Sequence, residues 1–384
     1  RAFMIDNDRM TDYVMELIKI DSISKREREV ALRLKTDMEE LGGECLFDDV
    51  GKIVNGNTGN LIVNIKGNSR NAPPLLLSAH MDTVGPGEGI KPHIENGIIK
   101  SDGTTILGSD DKSGLAVIVE VLRTLKERNI PFGDLEIAFT ICEEIGLLGA
   151  RYLDVSRFRS KHGFVLDSSS PSGLVVKCPS AEDIEFIVHG VEAHAGVCPE
   201  NGISAIKLAS EAIAKMKLGR IDFETTANIG IIKGGIAVNI IPNIVQVKGE
   251  ARSHDQEKLK EQVTHMRKCF HDAVLKHENI SEGKTPQPSL EEFIDRSYDK
   301  MDVPSSSKIV KLISQAANNL GHDLELHTSG GGCDANYFNK KGIECVNLGT
   351  GMKELHTVNE YLVLEEFNQA AHVVLETIRL NALQ

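Results

Sequence analysis

Four short apolar runs constrain this chain more than any other feature. They are Leu61 to Ile65, Leu75 to Ser78, Leu135 to Ile141 and Gly163 to Leu166, and each ends in polar residues. Their length suits strands. Between the second and third lies a helical face of Leu115, Ile118, Val119, Leu122 and Leu125, begun near Ser113. Strands alternating with helices predict an α/β fold with a mostly parallel sheet covered on both sides. Ahead of them, Val14, Leu17 and Ile18, then Val30, Leu34, Met38 and Leu41, follow helical spacing and stop at Gly42-Gly43, so two helices open the chain.

The pattern changes near Pro179. Ile184, Phe186 and Val188 alternate as in a half-buried strand, Ile203 to Leu218 reads as a helix, and Ala227 to Ile232 and Val245 to Ala251 read as strands. Gln256 to Lys276 is a further amphipathic helix, and Phe293 to Met301 is expected to add the last strand. This is an α+β, ferredoxin-like unit inserted at 179–299 and bounded by the polar stretch Ser281 to Ser289 and by Pro304. After it the α/β pattern resumes with a helix at Ser305 to Leu320, a strand at Ile343 to Leu348 and a closing helix from Glu360 to Leu380. The first domain is therefore expected in two parts, 1–178 and 300–384. A length of 384 residues with 41% apolar content suits two domains.

A net charge of −13 argues against nucleic acid or an anionic membrane as partner. No apolar run approaches the ~20 residues a bilayer span needs. The acidic residues Asp6, Asp8, Asp12 and Glu16 at the amino end fit neither a signal nor a transit peptide, and Arg1 in place of Met is expected where numbering starts inside a longer gene product. Seven scattered cysteines without C-x-x-C spacing suit a reduced, cytoplasmic setting.

In open α/β sheets ligands sit beyond the carboxyl ends of the strands. That rim is crowded here: His80 and Asp82 follow one run, Glu143 and Glu144 another, Asp167 a third, and His356 lies past Gly349-Thr350-Gly351. Asp110 and Asp111 precede the helix after the second strand. Any one of them could simply cap a loop. Together, several carboxylates and two imidazoles would repel unless cations neutralise them. The oxygen and nitrogen donors suit two zinc ions per subunit, with Mn or Co as substitutes. Two ions need one bridging carboxylate plus one His and one acid each, a set that His80, Asp110, Glu144, Asp167 and His356 supply. Asp82 is then free to accept the other His80 N–H, and Glu143 to serve as general base on the bridging water and as proton donor to the leaving amine.

The motifs His80-Met81-Asp82-Thr83-Val84, Asp102 through Gly114 with Thr104-Thr105 and Asp110-Asp111-Lys112, Cys142-Glu143-Glu144-Ile145-Gly146 and His194-Ala195-Gly196 resemble those of the di-zinc M20 metallopeptidases, most closely the peptidase T branch. The resemblance implies that Asp110 is the bridge and is followed by a cis peptide. It implies that the insert is a lid and homodimerisation module whose His194 reaches across the dimer to the substrate carbonyl. It also implies that Asn239, in Asn239-Ile240-Ile241-Pro242, and Arg252 help bind a short peptide. Without it, Asn239 could serve a turn and Arg252 a surface pair. The Gly-rich Ser329 to Asp334 loop, followed by Asn336, is expected to approach substrate backbone.

The expected activity is release of the amino-terminal residue of a tripeptide. The alternatives are a carboxypeptidase or N-acyl amino acid amidohydrolase of the same family, or a metal-stabilised peptide-binding protein without catalysis. Cys142 is discounted as a nucleophile because a buried strand-end Cys is usually inert. H-E-x-x-H, G-x-S-x-G and G-x-G-x-x-G are absent. The turn around Gly283 and the Lys-bearing face of the helix at 256–276 read as solvated surface.

Overall fold

The computed structural model describes residues 5–69, 71–280 and 286–384. The chain divides into two compact units, Arg1–Cys178 with Met301–Ser329 and Cys333–Gln384, and Pro179–Lys300 with Gly330–Gly332.

In the first unit the central sheet runs in the order Glu44–Phe47, Leu61–Ile65, Leu135–Thr140, Leu75–His80, His162–Ser168, Glu344–Gly349, Gly173–Cys178, Met301–Asp302, with Glu325–Thr328 also on Gly173–Cys178. Its four middle strands are parallel, with His80 opposite Thr140, Ser78 opposite Val165 and Gly349 opposite Ser168. Leu61–Ile65 and Gly173–Cys178 flank them antiparallel. The middle strands therefore end together, and whatever follows each is delivered to one rim. Leu75–His80 and Leu135–Thr140 are buried at every position. Successive side chains point to opposite faces, so both faces are covered. Ser109–Glu127 packs on Leu75–His80 and His162–Ser168, with Asn7–Ile18 and Leu364–Asn381 beside it.

Two expectations are corrected in this unit. The closing helix begins at Leu364 rather than Glu360, because Tyr361–Val363 is a strand on Ile98–Lys100 and the Glu360 side chain turns inward. The strand expected over Phe293 to Met301 is two strands. Ser289–Tyr298 pairs with Ser180–His189 in the second unit, whereas Met301–Asp302 pairs with Gly173–Cys178. Gly173–Cys178 and Glu325–Thr328 are strands that sequence pattern did not suggest.

The second unit is an antiparallel sheet in the order Gly219–Arg220, Thr225–Gly234, Ile244–Ser253, Ser180–His189, Ser289–Tyr298, packed with helices Ala205–Lys215 and Gln256–Ile280. Its long strands lie in a split β-α-β arrangement. Ile184, Phe186 and Val188 face the helices as their alternation predicts, and Phe186 stacks on Phe270 with ring centroids 4.1 Å apart. Ser204 caps the first helix by accepting from Lys207 N. Of the polar stretch Ser281 to Ser289, residues 281–285, with the turn expected at Gly283, lie outside the described residues. No helix among the described residues is long and apolar enough to cross a membrane.

Candidate active site

Five side chains from five segments meet at the rim of the first unit's sheet. His80 ends its strand with Nε2 3.0 Å from Asp110 Oδ1 and 3.8 Å from Asp167 Oδ1. The Nε2 of His356 lies 3.2 Å from Asp110 Oδ2 and 3.1 Å from Glu144 Oε1. Asp110 thus turns one oxygen to each imidazole. Glu143 Oε2 is 3.9 Å from His80 Nε2. The donor atoms of His80, Asp110 and Asp167, and those of Asp110, Glu144 and His356, each fall within 4.8 Å of one another. The Asp110–Asp111 peptide is cis, as the resemblance implied. Regular helix starts only after Asp111, and a Cβ on Gly114 would meet the Leu166 carbonyl oxygen at 2.5 Å, so glycine lets this helix approach the strand that carries Asp167.

The electrostatics of this cluster are unfavourable for bare carboxylates. Burial, with the neighbouring charges of Asp334, Glu144 and Asp110, pushes the Glu143 carboxyl well above its ordinary range. Burial and the charges of Glu143 and Asp110 do the same to Asp167. Burial also pushes Asp110 up, but hydrogen bonds with His356 and His80 outweigh it and hold Asp110 below its usual value. His356, bonded to Asp110 and Glu144, is raised to about 10. Four acids and two imidazoles packed this closely are a donor set that divalent cations fit, since a cation replaces both the shared protons and the repulsion. A shared carboxylate with one imidazole and one acid on either side is what a pair of ions requires.

Asp82 does more than its expected role. His80 Nδ1 is 2.9 Å from the main-chain oxygen of Asp82 and 3.4 Å from Oδ1, so the nearer acceptor is the backbone. The Asp82 carboxylate also accepts from Glu143 N at 2.9 Å, Glu144 N at 3.2 Å and Ser24 Oγ at 2.7 Å. It orients the turn that carries both glutamates. The Cys142 thiol is buried, and burial with the Glu27 and Asp82 charges pushes it up, which suits an inert thiol. Asp334, the first residue of the helix Asp334–Lys340, accepts from Thr140 Oγ1 at 2.5 Å.

The remaining three candidates lie in the second unit. His194 is exposed on a two-residue strand paired with Ile240–Ile241, and its Nδ1 accepts from Gly196 N and Val197 N. Asn239 is beside it, its carbonyl accepting from Ala195 N at 2.9 Å. Arg252 sits near the far end of Ile244–Ser253 and donates to Glu250 Oε2 at 2.8 Å. Within this unit His194 and Asn239 are neighbours and Arg252 is held apart from them.

Residues 76–380 match the model of peptidase family M20/M25/M40. The chain belongs to that family. Within it the chain falls in the peptidase T-like branch. It is 40% identical to the aminopeptidase PepT of Bacillus cereus, whose crystal structure superposes with a TM-score of 0.85 over 99% of this chain and 100% of that one. A tripeptidase from Staphylococcus aureus is 37% identical, with a TM-score of 0.90 over 99% and 100%. The uncharacterised protein YqjE of Bacillus subtilis is 41% identical over 376 residues, 98% of this chain and 99% of that protein.

This M20 chain also builds its rim with buried carboxylates that sequence reasoning missed. Asp111 accepts from His80 N at 3.1 Å and from Gly114 N at 3.2 Å. Glu27 Oε1 accepts from Lys25 N at 2.9 Å and Cys142 N at 3.1 Å. Glu360 accepts from four donors in the segment that ends on Asp110. Each binds the backbone at or next to one of the clustered residues. The only prior signal was the conspicuous doublet Asp110-Asp111, because an acceptor for backbone N–H leaves no periodic mark on a sequence.

Proposed function

We propose that the chain is a cytoplasmic di-zinc aminopeptidase that releases the amino-terminal residue of tripeptides. The observation that carries this reading is the placement of Asp110, with one oxygen toward His80 and the other toward His356. His80, Asp110 and Asp167 would hold one cation, and Asp110, Glu144 and His356 the other. Zinc suits these donors best, with manganese or cobalt as substitutes. The cations would supply Lewis acidity to a water molecule and to the scissile carbonyl.

Glu143 does the proton work. It lies within 4 Å of His80, is nearly buried, and is not needed to complete either cation's set. From there it takes a proton from the attacking water and delivers it to the leaving amine. Asp82 keeps Glu143 and Glu144 in place through their main-chain N–H groups. His194, Asn239 and Arg252 are assigned to the peptide, His194 at the carbonyl oxygen.

We assign the second unit the part of a lid and homodimer contact. Val197 (76% exposed) and Ile236 (82%) lie near His194 and Asn239, and a partner subunit would cover them. The amino-terminal specificity draws on the aminopeptidase and tripeptidase relatives. Seven free cysteines suit the cytoplasm.

The decisive experiment is to incubate zinc-loaded protein with a peptide of three different residues and identify the first products by mass. Release of the first residue with the remaining dipeptide supports the reading. Release of the third residue makes the protein a carboxypeptidase, and an uncut peptide with two bound ions makes it a binding protein.

A further inference from the structure

We propose that Glu360 is a positioning residue that sets how firmly the His356 side of the site holds its cation, an inference that rests on the two-cation reading above. Glu360 is only 1% exposed, and both carboxylate oxygens are engaged. Its Oε2 accepts from Leu107 N and Gly108 N, both at 2.8 Å. Its Oε1 accepts from Ser109 Oγ at 2.6 Å and from Asp110 N at 3.1 Å. These donors are four consecutive residues, and the last is the acid shared between the two imidazoles. Gly108 has a φ of 75°, which lets the segment curl around one carboxylate.

The same residue anchors the other half of that position. Glu360 lies four residues beyond His356, and its N–H closes the intervening turn on Thr357 O at 3.1 Å. The turn is otherwise held by Thr357 Oγ1 donating to Glu354 O and by Asn359 N donating to Thr357 Oγ1. His356 itself is 53% exposed in its side chain and has a φ of 62°. It is not itself in a strand, and the short strand before it, Met352–Lys353, ends three residues earlier. The next regular element, Tyr361–Val363, begins just after Glu360. One buried carboxylate therefore ties the His356 loop to the Asp110 segment. His80 and Asp167 sit at the ends of Leu75–His80 and within His162–Ser168, with no bond to Glu360 among the described contacts.

An isosteric Glu360→Gln change replaces one acceptor oxygen with an NH2 group. Whichever way the amide turns, either Asp110 N or the Leu107 and Gly108 N–H pair then faces a donor. The Asp110 segment shifts relative to His356. The His356 position loses more than the His80 position, which keeps two ligands on the sheet.

The test is zinc titration of metal-free wild type, Glu360→Gln and Ser109→Ala, with ions counted by elemental analysis after desalting and folding checked by thermal melts of the metal-free proteins. Wild type is expected to bind two ions. Glu360→Gln should keep one at wild-type affinity and bind the second about 10- to 100-fold more weakly, the range for partners that orient metal ligands. Ser109→Ala removes a single donor and should weaken the second ion several-fold, which keeps the test usable if Glu360→Gln does not fold. Two ions at wild-type affinity in the folded variants, or equal weakening of both ions, would overturn the proposal. Fewer than two ions in wild type would instead overturn the two-cation reading.

Discussion

The two units of this chain hold their candidate residues in opposite ways. In the first, His80, Asp110, Glu144, Asp167 and His356 come from separate segments, yet each donor atom has a partner of the set within 4 Å. In the second, His194 and Asn239 lie at a small ladder between two segments remote in sequence, and Arg252 stands near the far end of a strand, paired with Glu250. A sheet rim concentrates chemistry because parallel strands end together. An antiparallel α+β unit returns its strands at both ends, which spreads loops and suits contact over an area rather than at a point. The difference teaches that the proposed cation and proton chemistry draws on residues of the first unit alone, while the proposed peptide contacts of His194, Asn239 and Arg252 draw on the second.

Metal removal tests that division most severely. Chelation should abolish turnover and zinc should restore it, as followed by tripeptide cleavage. Next in size, Glu143→Gln should lower kcat by about 10³-fold while elemental analysis still finds two ions, because loss of a general acid-base group costs about 10²–10⁴. Turnover retained in that variant would assign the proton work elsewhere. His194→Ala should lower kcat by about 10²-fold, the scale for one donor at a carbonyl oxygen, with ion content unchanged. Loss of an ion on that change would break the comparison. Asp82→Asn should cost about 10–100-fold in zinc affinity or activity, since it disturbs the Glu143-Glu144 turn. Arg252→Ala sharpens the comparison at its small end: losing one charged contact to the peptide, worth about 1.5 kcal/mol, should raise KM about 10-fold with kcat and ion content unchanged.

Much of the rim was legible because apolar runs mark strands and strands deliver their last residues to one edge. His80, Glu143, Glu144 and Asp167 follow directly from that rule. Asp110 and His356 do not end a strand: Asp110 was reached from its place at a helix start and His356 from its place beyond the Gly349-Thr350-Gly351 turn. Glu360 was read as the start of a helix, since the helical periodicity of Leu364–Asn381 extends back to it, whereas its side chain serves a segment some 250 residues earlier. The Asp82 carboxylate was assigned to the His80 imidazole, which it meets at 3.4 Å, but its bonds to two backbone amides were not foreseen.

The sequence alone determined the layer architecture, the insertion near Pro179 and the residue types at the rim, because burial periodicity and strand termination are local properties of the chain. Tertiary structure decided which oxygen faces which imidazole and which buried carboxylates hold the loops. Those choices depend on distances between segments remote in sequence, and hydrogen bonds to backbone N–H groups place no demand on the identity of the donor residues.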